Sequence, residues 1–297
     1  MFASFSARAV GLPDLPVATT IAIAADAGFE AVDLMIRDLV DSGDDLTEVR
    51  RRLDDRGLRA GAFPMTMNWR GDEARFQTDL AALPRLAGAA ASLGLTRTGT
   101  WVMPETPRIP PLDADLAAYR AEVAALHVDR IGAIARVVAE FEIRLGLEVI
   151  GVTTFRRGVG VPFVTRLADL APTLGELLDE PNVGLLVDAF HLHAAGESFR
   201  QALAWGADRI VWAHVADLAP DFGGDRTAII DAERGLPGEN GAIDCRAFLR
   251  FLDDAGFTGP VTAEPLARCG SLIGQAPAEV ARRVKSSLDA IWPRVGS

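Results

Sequence analysis

Cysteine is scarce in this chain. Cys245 and Cys269 are its only two and show no CxxC spacing, which excludes a disulfide framework and points to a reducing compartment. Positive charge is also in short supply, with 30 Lys and Arg against 41 Asp and Glu for a net charge of -11. Phosphate-binding surfaces need Lys and Arg, so neither nucleic acid nor an anionic membrane is an expected partner. No apolar run free of charge reaches membrane-spanning length. The opening MFASFSARAVGLPDLP lacks a charged segment followed by a long apolar one, so no membrane is expected and the cytoplasm is the expected location. No GxGxxG follows the first apolar run, and no linker or low-complexity stretch divides the sequence. A dinucleotide-binding crevice is therefore disfavoured, and one domain over residues 1–297 is expected.

The chain does have core-forming material. Hydrophobic residues make up 49% and charged residues 24% of 297, enough for a large core at a length typical of one (β/α)8 barrel. Short apolar runs alternate with segments of helical spacing. FASFSARAV precedes a helix that stops at Gly28; EAVDLM precedes a helix near Leu46–Arg56; LRAGAFPM precedes one near Asp72–Leu93; TRTGTWVM precedes one spanning Leu112–Phe141. The second half continues with IRLGLEVIG and a helix near Pro162–Leu178, then NVGLLVDAF and one near Ser198–Trp205. RIVWAHV with a helix near Cys245–Ala255, and GPVTAEP with one near Pro277–Trp292, complete the series. Strands separated by helices imply parallel crossovers, and eight such pairs most economically close into a single α/β (β/α)8 TIM barrel, an open doubly wound sheet being the alternative.

Barrel enzymes place their chemistry at the C-terminal strand ends. Four consecutive apolar runs end in Glu148, Asp188, His214 and Glu264. Burying one such group unpaired costs several kcal/mol, and three carboxylates together repel unless a cation joins them. Three carboxylates and an imidazole suit one divalent metal ion, with Mn2+ the natural choice for an oxygen-rich shell and Mg2+, Co2+ or Zn2+ compatible. Trp69 and Arg70 follow the third run and Trp101 ends the fourth. An aromatic face beside a polar fork is a common sugar-binding arrangement, and core packing is the alternative for each tryptophan. Arg156 and Arg157 offer a clamp for a carboxylate or phosphate, or simply a solvated pair.

Taken together, LGLEVIG, NVGLLVDAFHLH, IVWAHVADL, GLPGENGAID and GFTGPVTAEP, spanning Leu145 to Pro265, resemble the xylose isomerase-like TIM-barrel superfamily of sugar isomerases and epimerases. MNWRGDEARF and the TWVMPE strand end match it more loosely. The resemblance implies metal ligation by Glu148, Asp188, His214 and Glu264. It further implies acid–base roles for Glu148 and Glu264, substrate contact by His191, and a substrate-proximal loop from which Arg234 is the preferred member. His193 is expected to cap a following helix or face solvent, and His127 to be structural. The activity implied is isomerisation or epimerisation by proton transfer alpha to a carbonyl of a sugar, keto-sugar or inosose. A metal-dependent dehydratase starting from the same enolate is the alternative.

Ketose 3-epimerases of this superfamily carry a Glu and an Arg where this chain has Thr154 and Pro220. This turns the expectation from free ketoses toward keto-inositols, glycosides oxidised at a ring carbon, or sugar acids. Four histidines are too few for the three-zinc set of an endonuclease IV-like phosphodiesterase, and the complete ligand set argues against a noncatalytic barrel. The expected partner is a small carbohydrate or polyol. The resemblance is compatible with a homo-oligomer and identifies no interface.

Overall fold

The computed structural model describes residues 1–293 other than 154, 155, 157 and 204, and only the backbone of Leu203. Its parallel strands are β1 (Phe2–Phe5), β2 (Ala31–Val32), β3 (Arg59–Ala60), β4 (Phe63–Pro64), β5 (Arg97–Trp101), β6 (Arg144–Glu148), β7 (Val183–Asp188) and β8 (Ile210–Val215), with the later β11 (Pro260–Ala263). Between the last two, β9 (Asp217–Leu218) and β10 (Arg234–Gly235) form a small antiparallel pair. The sheet order is β3-β2-β1-β11-β8-β7-β6-β5-β4. Its two ends, β3 and β4, are consecutive pieces of the expected LRAGAFPM strand, so the sheet closes on itself. The break arises because the chain changes partner there. The Gly61 amide donates to the Val32 carbonyl on one side at 2.8 Å, and the Met65 amide to the Gly99 carbonyl on the other at 2.8 Å.

Helices α1 (Val17–Ala27), α2 (Ile36–Ser42), α3 (Leu46–Asp55), α4 (Glu73–Ser92), α5 (Leu116–Ala139), α6 (Leu167–Leu174), α7 (Ala189–Ala195), α8 (Arg200–Leu203), α9 (Cys245–Asp254) and α10 (Pro277–Ile291) accompany the strands. Aspartate sets where several begin. The side chains of Asp45, Asp72, Asp115 and Asp244 accept hydrogen bonds from amides of the first turns of α3, α4, α5 and α9, satisfying donors that a helix leaves open. The Asp115 cap makes α5 start later than its apolar spacing suggests. The Pro162–Leu178 helix shortens to α6 followed by a 3-10 turn at Gly175–Asp179, and the Ser198–Trp205 helix to α8. The short α2 and α7 were not legible as separate helices. No helix among the described residues is long and apolar enough to cross a membrane.

Side chains alternate across a strand, so the residue two before each strand end occupies the layer beneath it. Gly146, Leu186, Trp212 and Thr262 thus underlie Glu148, Asp188, His214 and Glu264. Leu186 and Trp212 join Ala62 in a small apolar cluster, separate from the large core between sheet and helices. Glycine leaves room for it: a Cβ on Gly99 would stand 2.5 Å from Leu186 Cδ1 and 3.2 Å from Trp212 Cε3. Asp33, also buried, accepts from Ser4 Oγ at 2.5 Å, the Ala62 amide at 2.8 Å and Thr262 Oγ1 at 2.6 Å. Trp212 Nε1 in turn donates to Thr262 Oγ1 at 2.9 Å. The floor beneath the strand ends is therefore hydrogen-bonded as well as packed.

Candidate metal centre

Glu148, Asp188, His214 and Glu264 converge at the barrel mouth, each offering one donor atom within 4.8 Å of the others. Strand register accounts for part of this. Asp188 pairs with His214 and Thr262 with His214, which brings Asp188 level with the imidazole and sets Glu264 two residues above it. His214 Nδ1 lies 3.2 Å from Glu264 Oε2 and 3.7 Å from Glu148 Oε1, yet neither ring nitrogen makes a well-formed hydrogen bond, and Glu148 Oε1 has none either. Buried donors without partners are rare in folded proteins. The unsatisfied atoms and the oxygen-rich donor set together suit a divalent cation.

The electrostatics run the same way. Burial pushes the Glu148 carboxyl up to about 8, against the pull of His214 and with further push from Glu264 and Asp188. Burial opposes charge on His214 too, but Glu264, Glu148 and Asp188 raise it to about 9. Burial would lift Asp188, but Arg234, His191 and His214 hold it well below the carboxylate range. Burial likewise works against Glu264, while His214 and Arg234 draw it down.

Arg234 arrives from the β9–β10 pair, where it sits opposite Leu218. Asp217 ties that loop shut, accepting amide hydrogen bonds from Gly241 at 2.5 Å and Ile243 at 3.0 Å, which gives the GLPGENGAID motif its shape. The Arg234 side chain is 2% exposed and donates to Asp188 Oδ2 at 2.8 Å and Asp231 Oδ1 at 3.2 Å. Its Nη1 lies 3.4 Å from Glu264 Oε2 and its Nη2 3.1 Å from His191 Nε2. It therefore reaches the metal-type ligands themselves. His191 is buried on α7, with its Nδ1 unpartnered.

A cavity of about 220 Å³ opens over the centre, lined in part by Glu148, His214, Glu264, Trp101 and Thr262. This is below the range typical for drug-sized ligands. Trp101 pairs in register with Glu148 and shares its face. Arg70 stacks on Trp101 at 3.7 Å and on Trp69 at 4.4 Å, and donates to Thr100 Oγ1 at 3.1 Å and to the Trp101 carbonyl. Burial draws its pKa down to about 9, against the opposing charge of Glu148. Trp69 lies beneath this stack, 2% exposed, with its Nε1 donating to Thr100 at 3.0 Å; its ring is core, not cavity wall. His127 is core as well. His193 stands half-buried in the last turn of α7 itself, too far ahead of α8 to cap it. Thr154 and Arg157 lie outside the described residues, and Pro220 is exposed just beyond β9.

Sequence reasoning passed over Ser6, Arg8 and Thr262 in the cavity wall, and Asp33 below it. Asp33 had a readable signal, as the one carboxylate set inside the apolar AVDLM stretch, directly after β2. Arg8 and Thr262 had none, because their place depends on how neighbouring strands align.

A closed parallel barrel with a four-donor, acid-rich centre at its C-terminal mouth defines a (β/α)8 protein with a candidate metal centre. The chain belongs to the xylose isomerase-like TIM barrel family, whose sequence profile matches residues 21–290. It is 26% identical over 159 residues to the inosose isomerase of Bacillus subtilis (strain 168), covering 52% of this chain and 51% of that protein. It thus spans about half the length of the curated relatives it matches. A xylose isomerase domain protein from Alicyclobacillus acidocaldarius subsp. acidocaldarius superposes with a TM-score of 0.81 at 26% identity, over 98% of each chain. The zinc-bound structure of IOLI does so with a TM-score of 0.75 at 18% identity, also over 98% of each.

Proposed function

We propose that the chain, working as one barrel domain, is a divalent-metal-dependent isomerase or epimerase that moves a proton alpha to the carbonyl of a sugar, keto-sugar or inosose. The observation that carries this reading is the pair of glutamates, Glu148 on β6 and Glu264 just past β11, both within donor distance of His214 and Asp188. Glu148, Asp188, His214 and Glu264 would hold the ion, with Mn2+ favoured and Mg2+, Co2+ or Zn2+ compatible. A bound ion supplies Lewis-acid polarisation of the substrate carbonyl, acidifying the neighbouring C–H.

The side chains do the rest. One glutamate accepts the alpha proton and the other returns a proton, each needing hydrogen-bond reach of the same carbon. His191 and Arg234, already beside the ligands, hold substrate oxygens. Trp101 offers a face to the sugar with Arg70 stacked behind it, and Trp69 braces Arg70 from below. The name of the Bacillus subtilis relative puts inososes first among substrates to try.

Proton NMR in D2O with Mn2+ and a panel of inososes, keto-glycosides and ketoses tests the reading. Deuterium should enter one carbon as an isomer appears, and Glu148→Gln and Glu264→Gln should each slow this by roughly 100-fold or more. Loss of a hydroxyl with a new absorbing enone would instead identify a dehydratase. Full turnover by both variants with metal bound would remove the glutamates from the mechanism.

A further inference from the structure

The segments that lead away from the metal centre enclose a second cavity, of about 230 Å³. Its walls come from the loop after β6, the start of α6, the last turn of α7 and the stretch around 226–229. Three arginines line it, Arg156, Arg166 and Arg226, and its described lining contains no carboxylate. All three are exposed to solvent, and in a chain of net charge -11 their concentration on one cavity is suited to receiving something of opposite sign.

Nearby acids are largely committed elsewhere. Glu197 accepts from the Leu167 and Ala168 amides, and Asp225 from Thr227. Asp169 reaches Arg166 at 3.2 Å. Arg156 donates to the Gly151 carbonyl at 3.3 Å, and the Arg226 guanidinium makes no hydrogen bond or ion pair among the described residues. This contrasts with the exposed arginines of α3 and α10, such as Arg51 and Arg282, which pair with carboxylates of their own helices. It also contrasts with the cavity of about 390 Å³ beside β1, where Arg8 shares the walls with Asp14, Asp33, Asp38 and Asp44. Gly196 (φ +73) lies beside the Arg226 guanidinium, and a Cβ there would stand 2.6 Å from Cζ.

We propose that this cavity binds a phosphate-class oxyanion, gripped chiefly by Arg156 and Arg226 with Arg166 at its side. Planar guanidinium forks match the spacing of phosphate oxygens and give short, charge-assisted hydrogen bonds. Each wall continues into the metal centre, the first from Glu148, the second through α7 with His191, the third toward Arg234. A bound anion joins these three segments. The inference goes beyond the proposed reaction and is read by binding alone.

Full-length, metal-loaded protein titrated with inorganic phosphate by calorimetry, at constant ionic strength, is the test. Saturable binding is expected, weakened about tenfold or more in Arg156→Gln and in Arg226→Gln; the two changes lie on different loops, and each variant is checked for an unchanged melting temperature. No saturation up to phosphate on the order of 10 mM, or equal affinity in both variants as for phosphate held at the metal centre, would overturn it. Phosphate that competes with a phosphorylated substrate and spares a neutral one identifies the site as a seat for the substrate's own phosphate. Phosphate that changes turnover of a neutral substrate identifies a free effector.

Discussion

At the scale of single residues, surroundings decide what each of the four histidines does. His214 sits among carboxylates and is driven toward its charged form, whereas His127 sits against Trp69 and Phe163 at ring distances of 5.0 and 4.9 Å. Burial lowers the His127 pKa from 6.5 to about 4, with the Val123 carbonyl opposing and Arg70 and Arg130 adding to the fall. The unfolded chain takes up this proton near pH 6.5 and the folded one only near pH 4, so stability present above pH 6.5 is lost as pH falls through that window. The full loss is about 3 kcal/mol. His127→Phe keeps an aromatic ring and removes the titration. Urea unfolding at pH 7 and pH 4 should show the gap between wild type and variant move by about that amount, and a gap that ignores pH would refute the assignment. Sequence could rank His127 as structural because it falls inside a long helix, but it had no way to see Trp69 and Phe163 close over it.

At the scale of elements, the contact that matters most is between the loop after β6 and α7. A Cβ on Gly151 would lie 2.0 Å from the His191 carbonyl oxygen and 3.0 Å from the Ala195 amide nitrogen. Backbone cannot yield as a flexible side chain does. Gly151→Ala should therefore cost about 3 kcal/mol and weaken metal binding, by pushing away the helix that follows Asp188. Gly175→Ala, where nothing lies within 4 Å of the new methyl and the backbone is right-handed helical, should change stability by less than about 1 kcal/mol. Denaturant midpoints and metal titration of the two variants check both statements; equal behaviour would mean that α7 is not seated by this contact. α7 escaped sequence reading because its seven residues run straight on from the apolar strand before them. Hydrophobic periodicity cannot separate a buried strand from a short buried helix.

At the scale of the whole molecule, a divalent ion that binds only the folded barrel should stabilise it by mass action. At a hundredfold excess over Kd this is about 2.7 kcal/mol, a rise in Tm of roughly 4 °C for a chain of this length. Chelation should reverse the shift and abolish proton exchange, with Mn2+ restoring both; a Tm indifferent to every divalent ion would argue against the centre. The barrel itself was legible in the chain, because apolar runs and helical spacing alternate through it and each of four late runs stops at a carboxylate or imidazole. These are local facts of residue order, and period and composition carry them. What only the tertiary structure decided was which groups share a space: that β3 and β4 close the ring, that Arg234 lies against Asp188, that Trp69 is core while Trp101 faces the cavity, and that Arg156, Arg166 and Arg226 meet. Those neighbours come from strand stagger and loop closure, which bring together residues far apart in the chain, and local sequence period carries no information about such meetings.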